Sequence, residues 1–418
     1  MKIELLAPPY SGHLHPVLAI AQALAPEHEV CVLSTPSVQG AIAACGLRGE
    51  AILTPADEQW LWAIANPPHA VKAHPLRLHR QLEQALQLMA RLGAALQQRW
   101  ARQQPELVIA DYTLPSAGLL ARDLGIGWWT SLPSPCVLEA PDGPPAYLGG
   151  LMPAQSSAER VMHAAARRLT RGFKRGMHLL HRREMAALGL PAIYRANGSE
   201  AVYSPECILA LGVPELEFER RWPAALHFVG PMLCTPPGAH PEPPFQPGRR
   251  HLLVTAGTHL DWAKQCLTDA AKDLARRHPD WVVHVSDGHA GGQCADDLAA
   301  PSNFQRLPFL DYARHLPRYA LLLHHGGAGV MYHALQAGIP ALVHPLDYDQ
   351  FDHAARLQVR GAGLWLRRLD ELPAAFERAM REPALFAGLP TLQQAVQKQV
   401  AERYVTRLVA ERARRVNR

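Results

Sequence analysis

The chain has 418 residues, more than one hydrophobic core usually serves, so two domains are expected. Hydrophobic residues make up 48% and charged residues 19%, a balance that excludes a largely disordered chain. The formal charge of +5, with a pI near 8.9, suits anionic ligands such as phosphates but is too diffuse for nucleic acid, and no Lys/Arg run is interleaved with aromatics.

The opening segment MKIELLAPPY lacks a basic region followed by a long apolar run and does not read as a secretion signal. No uninterrupted apolar stretch approaches the ~20 residues of a membrane span. Cys31, Cys45, Cys136, Cys207, Cys234, Cys266 and Cys294 are odd in number, far apart and without a CxxC pair, which fits thiols in a reducing compartment. The histidines are scattered rather than set at metal-ligand spacing, so no metal site is expected. A soluble, cytoplasmic protein is the expectation.

Short apolar runs alternate with longer helical patterns, the signature of a parallel sheet covered by helices and hence of an α/β protein. The first predicted strand is Ile3–Ala7. It turns through Gly12 towards a helix predicted from Pro16 to Leu24, with proline in its first turn. His13 then sits on a sharp strand-to-helix turn, where an imidazole can remove a proton from a hydroxyl near neutral pH. The alternative is a turn histidine that only bonds backbone. His15, two residues on, reads as structural.

A second strand follows at Val30–Leu33. Trp60, Trp62, Trp128 and Trp129 are candidates for an apolar pocket, with core packing as the competing role. Leu78, Leu82, Ala85, Leu88 and Leu92 recur at helical spacing and predict a helix over Leu76–Trp100. Asp111 ends the strand Leu107–Ala110. Its carboxylate could take the Nδ1 proton of His13, fix the tautomer and stabilise the imidazolium, or it could cap a helix.

Arg160–Arg183 carries eight Lys/Arg and no acid, with Val161, Ala165, Leu169, Phe173 and Met177 four apart. The first reading is an amphipathic surface helix packed on the first domain; the second is peripheral contact with an anionic membrane surface or a lipid-like acceptor. The Pro-rich residues 232–250 read as a linker between domains 1–231 and 251–395, and residues 396–418 as a terminal helix that could pack back on the first domain.

The second domain restarts the pattern with strands at His251–Ala256, Trp281–Ser286, Ala320–His324 and Ala341–His344. Ligands bind beyond the carboxyl ends of such strands, which singles out Thr258, Ser286, His325 and Asp349. In LLLHHGGAGVMYHAL an apolar strand runs into His325, then Gly326, Gly327 and Gly329, then a helix. Those glycines let backbone approach a phosphate, and the helix N-terminus through Val330 offers free N–H groups and a positive dipole end. Asp349 and Gln350 offer the mixture of acceptors and donors that vicinal sugar hydroxyls need.

Together these segments resemble the GT-B-fold, nucleotide-sugar-dependent glycosyltransferases of family 1, which include macrolide, flavonoid and plant secondary-metabolite enzymes. His325-Gly-Gly-Ala-Gly-Val330 resembles the family's diphosphate turn, Asp349-Gln350 its donor-sugar pair, Gly12 to Pro16 its catalytic-base segment and Thr255-Ala-Gly-Thr258 the turn that opens its donor domain. Asp111 falls where the family's supporting aspartate occurs. Ala201 to Pro231 also resembles bacterial enzymes that glycosylate lipid-like acceptors. Val330 stands where Thr or Ser is common, and His353 where Asn is usual.

The resemblance implies two Rossmann-like domains facing across a cleft. It implies inverting transfer of a hexose or deoxyhexose from a UDP- or dTDP-sugar to a hydroxyl of a small apolar secondary metabolite or lipid-like acceptor, without a metal or other cofactor. Asp347-Tyr-Asp349 is the one D-x-D sequence, and Asp349 reads as a sugar contact instead. The rival readings are a nucleotide-sugar 2-epimerase and a non-catalytic subunit that binds nucleotide sugar or lipid.

Overall fold

The computed structural model describes residues 1–71, 74–238, 242–288 and 299–416. The first half runs β1 (Lys2–Leu6), α1 (Ser11–Leu24), β2 (Glu29–Ser34), α2 (Gln39–Ala44), β3 (Gly49–Ala51), α3 (Pro55–Ala65), α4 (Pro75–Arg102), β4 (Leu107–Asp111), α5 (Pro115–Asp123), β5 (Gly127–Leu132), α6 (Ser157–Leu180), α7 (Arg182–Ala187), β6 (Cys207–Ala210) and β7 (Leu226–Phe228). The second runs β8 (Arg250–Thr255), α8 (Asp261–Arg277), β9 (Trp281–Ser286), β10 (Phe304–Leu307), α9 (Tyr312–His315), β11 (Leu321–His324), α10 (Ala328–Ala337), β12 (Ala341–Val343), α11 (Gln350–Val359), β13 (Gly363–Trp365), α12 (Leu372–Arg381), α13 (Leu389–Lys398) and α14 (Ala401–Val416).

Each half builds one parallel sheet, ordered β3-β2-β1-β4-β5-β6-β7 and β10-β9-β8-β11-β12-β13. The central strands are apolar runs buried from end to end, such as LVIAD in β4 and LLLH in β11, because helices cover both faces. Ile3, Leu5, Val32, Ile109 and Leu209 face α1, while Leu6, Leu33, Val108 and Ala110 face α4 and α5. Past β13 the chain returns to the first half. Val405, Leu408 and Val409 of α14 join the core that contains Ile3 and Leu18.

Strand order reverses between β1 and β4 in one sheet and between β8 and β11 in the other. The crevice beyond the strand ends opens at such a reversal, which is where open α/β sheets bind ligands. His13 follows β1 and Asp111 ends β4; Thr258 follows β8 and His325 follows β11. Topology alone therefore brings these four residues to two facing crevices.

Two expectations need correction. The first helix starts at Ser11, not Pro16, so His13 lies in its first turn, with the N–H groups of His13 and Leu14 both bonded to the Tyr10 carbonyl. First-turn N–H groups need no intrahelical partner, and Pro16 removes only the bond to the Gly12 carbonyl. The basic helix α6 is also mounted the other way round. Its polar side packs on the domain and its apolar stripe faces out, because Glu139 and Glu200 take Lys174 at 2.7 and 2.6 Å. Cys31, Cys45, Cys136, Cys207, Cys234 and Cys266 are free thiols, and Cys294 lies outside the described residues. Among the described residues no helix is long and apolar enough to cross a membrane.

Candidate active site

A cavity of about 600 Å³ lies between the halves, lined by strand-end residues of both sheets. On the first side stand Tyr10, His13, Tyr112 and Thr113; on the second stand Thr258, Ser286, His325 and Asp349.

His13 Nδ1 donates to both oxygens of the fully buried Asp111, at 3.0 and 3.1 Å. Asp111 Oδ1 also accepts from the Thr113 N–H at 2.9 Å and its hydroxyl at 2.5 Å, so the carboxylate is clamped before the imidazole meets it. Burial alone would discourage charge on His13. Asp111, by charge and hydrogen bond, and Asp349, by charge, more than offset it and hold the ring above the ordinary imidazole range. Nδ1 being occupied, Nε2 is the nitrogen left to act.

His15 also reaches the cavity wall, but burial and nearby His333 push it down to about 4, against a hydrogen bond that the ring donates to the Cys234 backbone. It is a neutral group tied to backbone.

Across the cavity, Gly327 is the N-cap of α10, with extended backbone. The N–H groups of Ala328, Gly329 and Val330 occupy the first three helical positions, and Met331 makes the first intrahelical bond, back to Gly327. Those three residues line the cavity beside the His325 ring. A Cβ at Gly257 or Gly327 would stand 2.6 or 2.4 Å from His325 ring atoms, so glycine at both positions lets the ring lie flat against backbone. Burial pushes His325 down to about 4, against the Thr255 backbone and Asp349. It is a neutral imidazole.

Gly326 is placed differently from its neighbours. It is absent from the cavity wall and instead forms the turn, with φ of 92°, where a Cβ would stand 2.9 Å from the Gln350 carbonyl oxygen. Its N–H bonds His324 Nδ1 at 3.1 Å, and His353 Nδ1 donates to its carbonyl at 2.7 Å. His353, unexpected by resemblance, thus fastens the glycine turn. Val330 reaches the wall with backbone but packs its side chain among Leu253, Leu322 and Ala334.

Ser286 ends β9 at the cavity with a buried hydroxyl that has no partner among the described residues. Thr258 Oγ1 meets His259 Nδ1 at 3.2 Å. Gln350 spends its carbonyl oxygen on the N–H groups of Leu346 and Asp347, at 2.9 and 3.1 Å, which leaves its amide NH2. Asp347 accepts from the Val71 and Tyr348 N–H groups, so it braces the loop while Asp349 faces the cavity.

The tryptophans do not form the pocket. Trp60, Trp62 and Trp128 are absent from the cavity wall. Trp128 is core, wedged on Gly118 so closely that a Cβ there would overlap its ring. Trp60 lies under the Arg91 guanidinium, 5.1 Å from the ring centre. Trp62 supports the wall from behind, edge-on to Tyr10 at 4.9 Å and near His259 at 5.4 Å. The apolar wall is built instead by Leu53, Leu61, Leu78, Leu82, Ala85 and Met89. Of these, Leu78, Leu82 and Ala85 belong to the periodic α4 stripe seen in sequence, whose first turns face the cavity, while Met89 lies beside that stripe.

Sequence reasoning passed over His259. It stands 4.5 Å from Tyr10 across the cleft, and burial, with the like charges of His13 and His325, pushes it down to about 3. An isolated histidine after a Gly-Thr turn carries no distinguishing spacing.

Residues 278–413 match the family described as erythromycin biosynthesis protein CIII-like, C-terminal domain. Over 389 residues, 87% of each chain, the protein is 27% identical to the 4'-demethylrebeccamycin synthase of Lentzea aerocolonigenes. A zeaxanthin glucosyltransferase of Pseudescherichia vulneris is 30% identical over 182 residues, 43% of each chain. Among solved structures, the kitacinnamycin glycotransferase superposes with a TM-score of 0.71 over 97% of both chains at 20% identity. The chain therefore has the GT-B fold, and its second half, its relatives and a glycine turn facing a histidine–aspartate pair make it similar to the family 1 glycosyltransferases.

Proposed function

We propose that the protein transfers a hexosyl or deoxyhexosyl group from a UDP- or dTDP-sugar to a hydroxyl of a small apolar acceptor, with inversion at the anomeric carbon. The observation that carries this reading is the clamped His13–Asp111 pair opening onto the same cavity as His325 and the α10 N-terminus.

His13 Nε2 takes the acceptor proton as the oxygen attacks the anomeric carbon, and Asp111 holds the imidazolium so formed. The bond from that carbon to the diphosphate oxygen breaks, and its electron pair leaves with the nucleotide. Negative charge on the leaving group meets the N–H groups of Ala328, Gly329 and Val330 and the neutral imidazole of His325. Asp349 and the free amide of Gln350 hold sugar hydroxyls, with Thr258 and Ser286 beside the nucleotide. In this scheme the leaving group is neutralised without a metal or other cofactor.

The apolar α4 wall favours a hydrophobic acceptor, and about 600 Å³ is the size of a small-molecule site. That wall also favours transfer over 2-epimerisation, which needs no acceptor pocket. A panel of UDP- and dTDP-sugars, scored first by protection against thermal unfolding and then by product NMR, tests the proposal. Product with retained anomeric configuration, or sugar conversion without any acceptor, would overturn it.

A further inference from the structure

The helix α6 turns its apolar side to water. Inward, Arg167 donates to the Gly143 carbonyl, Arg171 to the Gly198 carbonyl at 2.9 Å, and His178 bonds the Leu190 carbonyl at 3.1 Å. Outward, Val161, Leu169, Leu179 and Leu180 are 70, 73, 66 and 63% exposed, and Met162 and Phe173 are exposed with them. At 3.6 residues per turn these six fall in one stripe covering about a third of the helix. A helix that turns its apolar residues to solvent while Arg167, Arg171 and Lys174 face the domain is the reverse of a packed surface helix. A contiguous exposed apolar patch of this kind marks an interaction site.

The charge beside the stripe identifies what it meets. Arg168 and Arg175 run along one flank seven residues apart, and Arg182 and Arg183 follow past its end, all exposed. The ion pairs of α6 belong to its inward Arg171 and Lys174; among the described residues none engages Arg168, Arg182 or Arg183. From Arg160 to Arg183 there is no acid.

We propose that α6 is a membrane-surface element, lying on an anionic lipid bilayer with its leucines in the headgroup boundary and its arginines on lipid phosphates. A second copy of the chain seated on the stripe would bring the Arg168 and Arg175 rows together, whereas anionic lipid neutralises them. The face is close to the cavity: His181, just past α6, meets His79 of α4 at 3.2 Å, and Leu78 and Leu82 of α4 line the cavity wall. The surface assignment stands whether or not the transfer reaction is as proposed.

The test is flotation of the full-length protein with vesicles of phosphatidylcholine alone and of phosphatidylcholine mixed with phosphatidylglycerol. The protein should float with the mixed vesicles only and be released by salt. The variant Arg168→Glu/Arg182→Glu/Arg183→Glu should lose partitioning by at least about a hundredfold, and Leu169→Ser/Phe173→Ser should also fail to float. Both variants should keep the parental melting curve and nucleoside diphosphate affinity. Failure of the parent to float with mixed vesicles, or flotation of the charge variant at the parental level, would overturn the proposal. So would a parental dimer in sedimentation that Leu169→Ser/Phe173→Ser dissolves, since a second copy would then own the stripe.

Discussion

Replacing Asp111 by asparagine probes the pair through its hydrogen bonds. Asp111 Oδ1 is committed to the Thr113 N–H and hydroxyl, so an asparagine must keep its carbonyl oxygen there. Its NH2 then faces His13 Nδ1, which now donates at 3.0 Å. Two donors cannot face each other. The one acceptor left to Nδ1–H is the oxygen at the Oδ1 position, 3.1 Å away and already bonded twice by Thr113, so the proton shifts toward Nε2, the nitrogen that has to accept the acceptor's proton, and turnover should fall by ~10²–10⁴. The ring also loses a charge-assisted hydrogen bond that favours its protonated form, so its pKa should drop. The sign follows from the folded state. His13 is held above 6.5 and acts only when neutral, so kcat/KM of the parent should fall as pH drops through that raised value. In Asp111→Asn this acid limb should move to lower pH while the plateau falls. The assay is nucleoside diphosphate release with a simple alcohol acceptor across the pH range. An unchanged limb and plateau would refute the pairing as the source of base strength.

Other substitutions separate binding from stability. His325→Ala should weaken nucleoside diphosphate binding by about 1.5–3 kcal/mol, and calorimetric titration with UDP and dTDP reads this directly; parental affinity for both would reject the contact. Glu217→Ala should destabilise the fold by about 3–5 kcal/mol, because Arg356, buried and bonded to Glu217 at 2.8 Å, would be left as an unpaired charge; denaturant melts that match the parent would contradict this. EDTA should leave transfer intact, and a complete loss restored only by a divalent cation would remove the proposed metal-free leaving-group chemistry.

The two sheets were legible because buried parallel strands must be apolar along their length, as in VCVLS, LVIA and LLLH. Topology then placed His13 and Asp111 together, since both lie at a strand-order reversal. What sequence could not show was direction. The stripe of α4 looks like any core-facing stripe, yet its first turns line a cavity. The stripe of α6 looks the same and faces water, because Glu139 and Glu200 lie far away in sequence from the cations they hold. Trp128 reads as a pocket aromatic until Gly118 is seen beneath it. Gly326 reads as a phosphate contact, but its positive φ and the His353 bond make it the turn beneath the contact.

The central claim is that His13 removes the acceptor proton, and the turnover of His13→Ala tests it most directly. The substrate should be a simple alcohol, because a thiol or acidic phenol needs less help from a base. The account predicts a fall of about 10²–10⁴ in kcat, with nucleoside diphosphate affinity and melting temperature near the parental values, and a double variant with Asp111→Asn that falls well short of the product of the two losses. Transfer by His13→Ala at the parental rate would contradict the account.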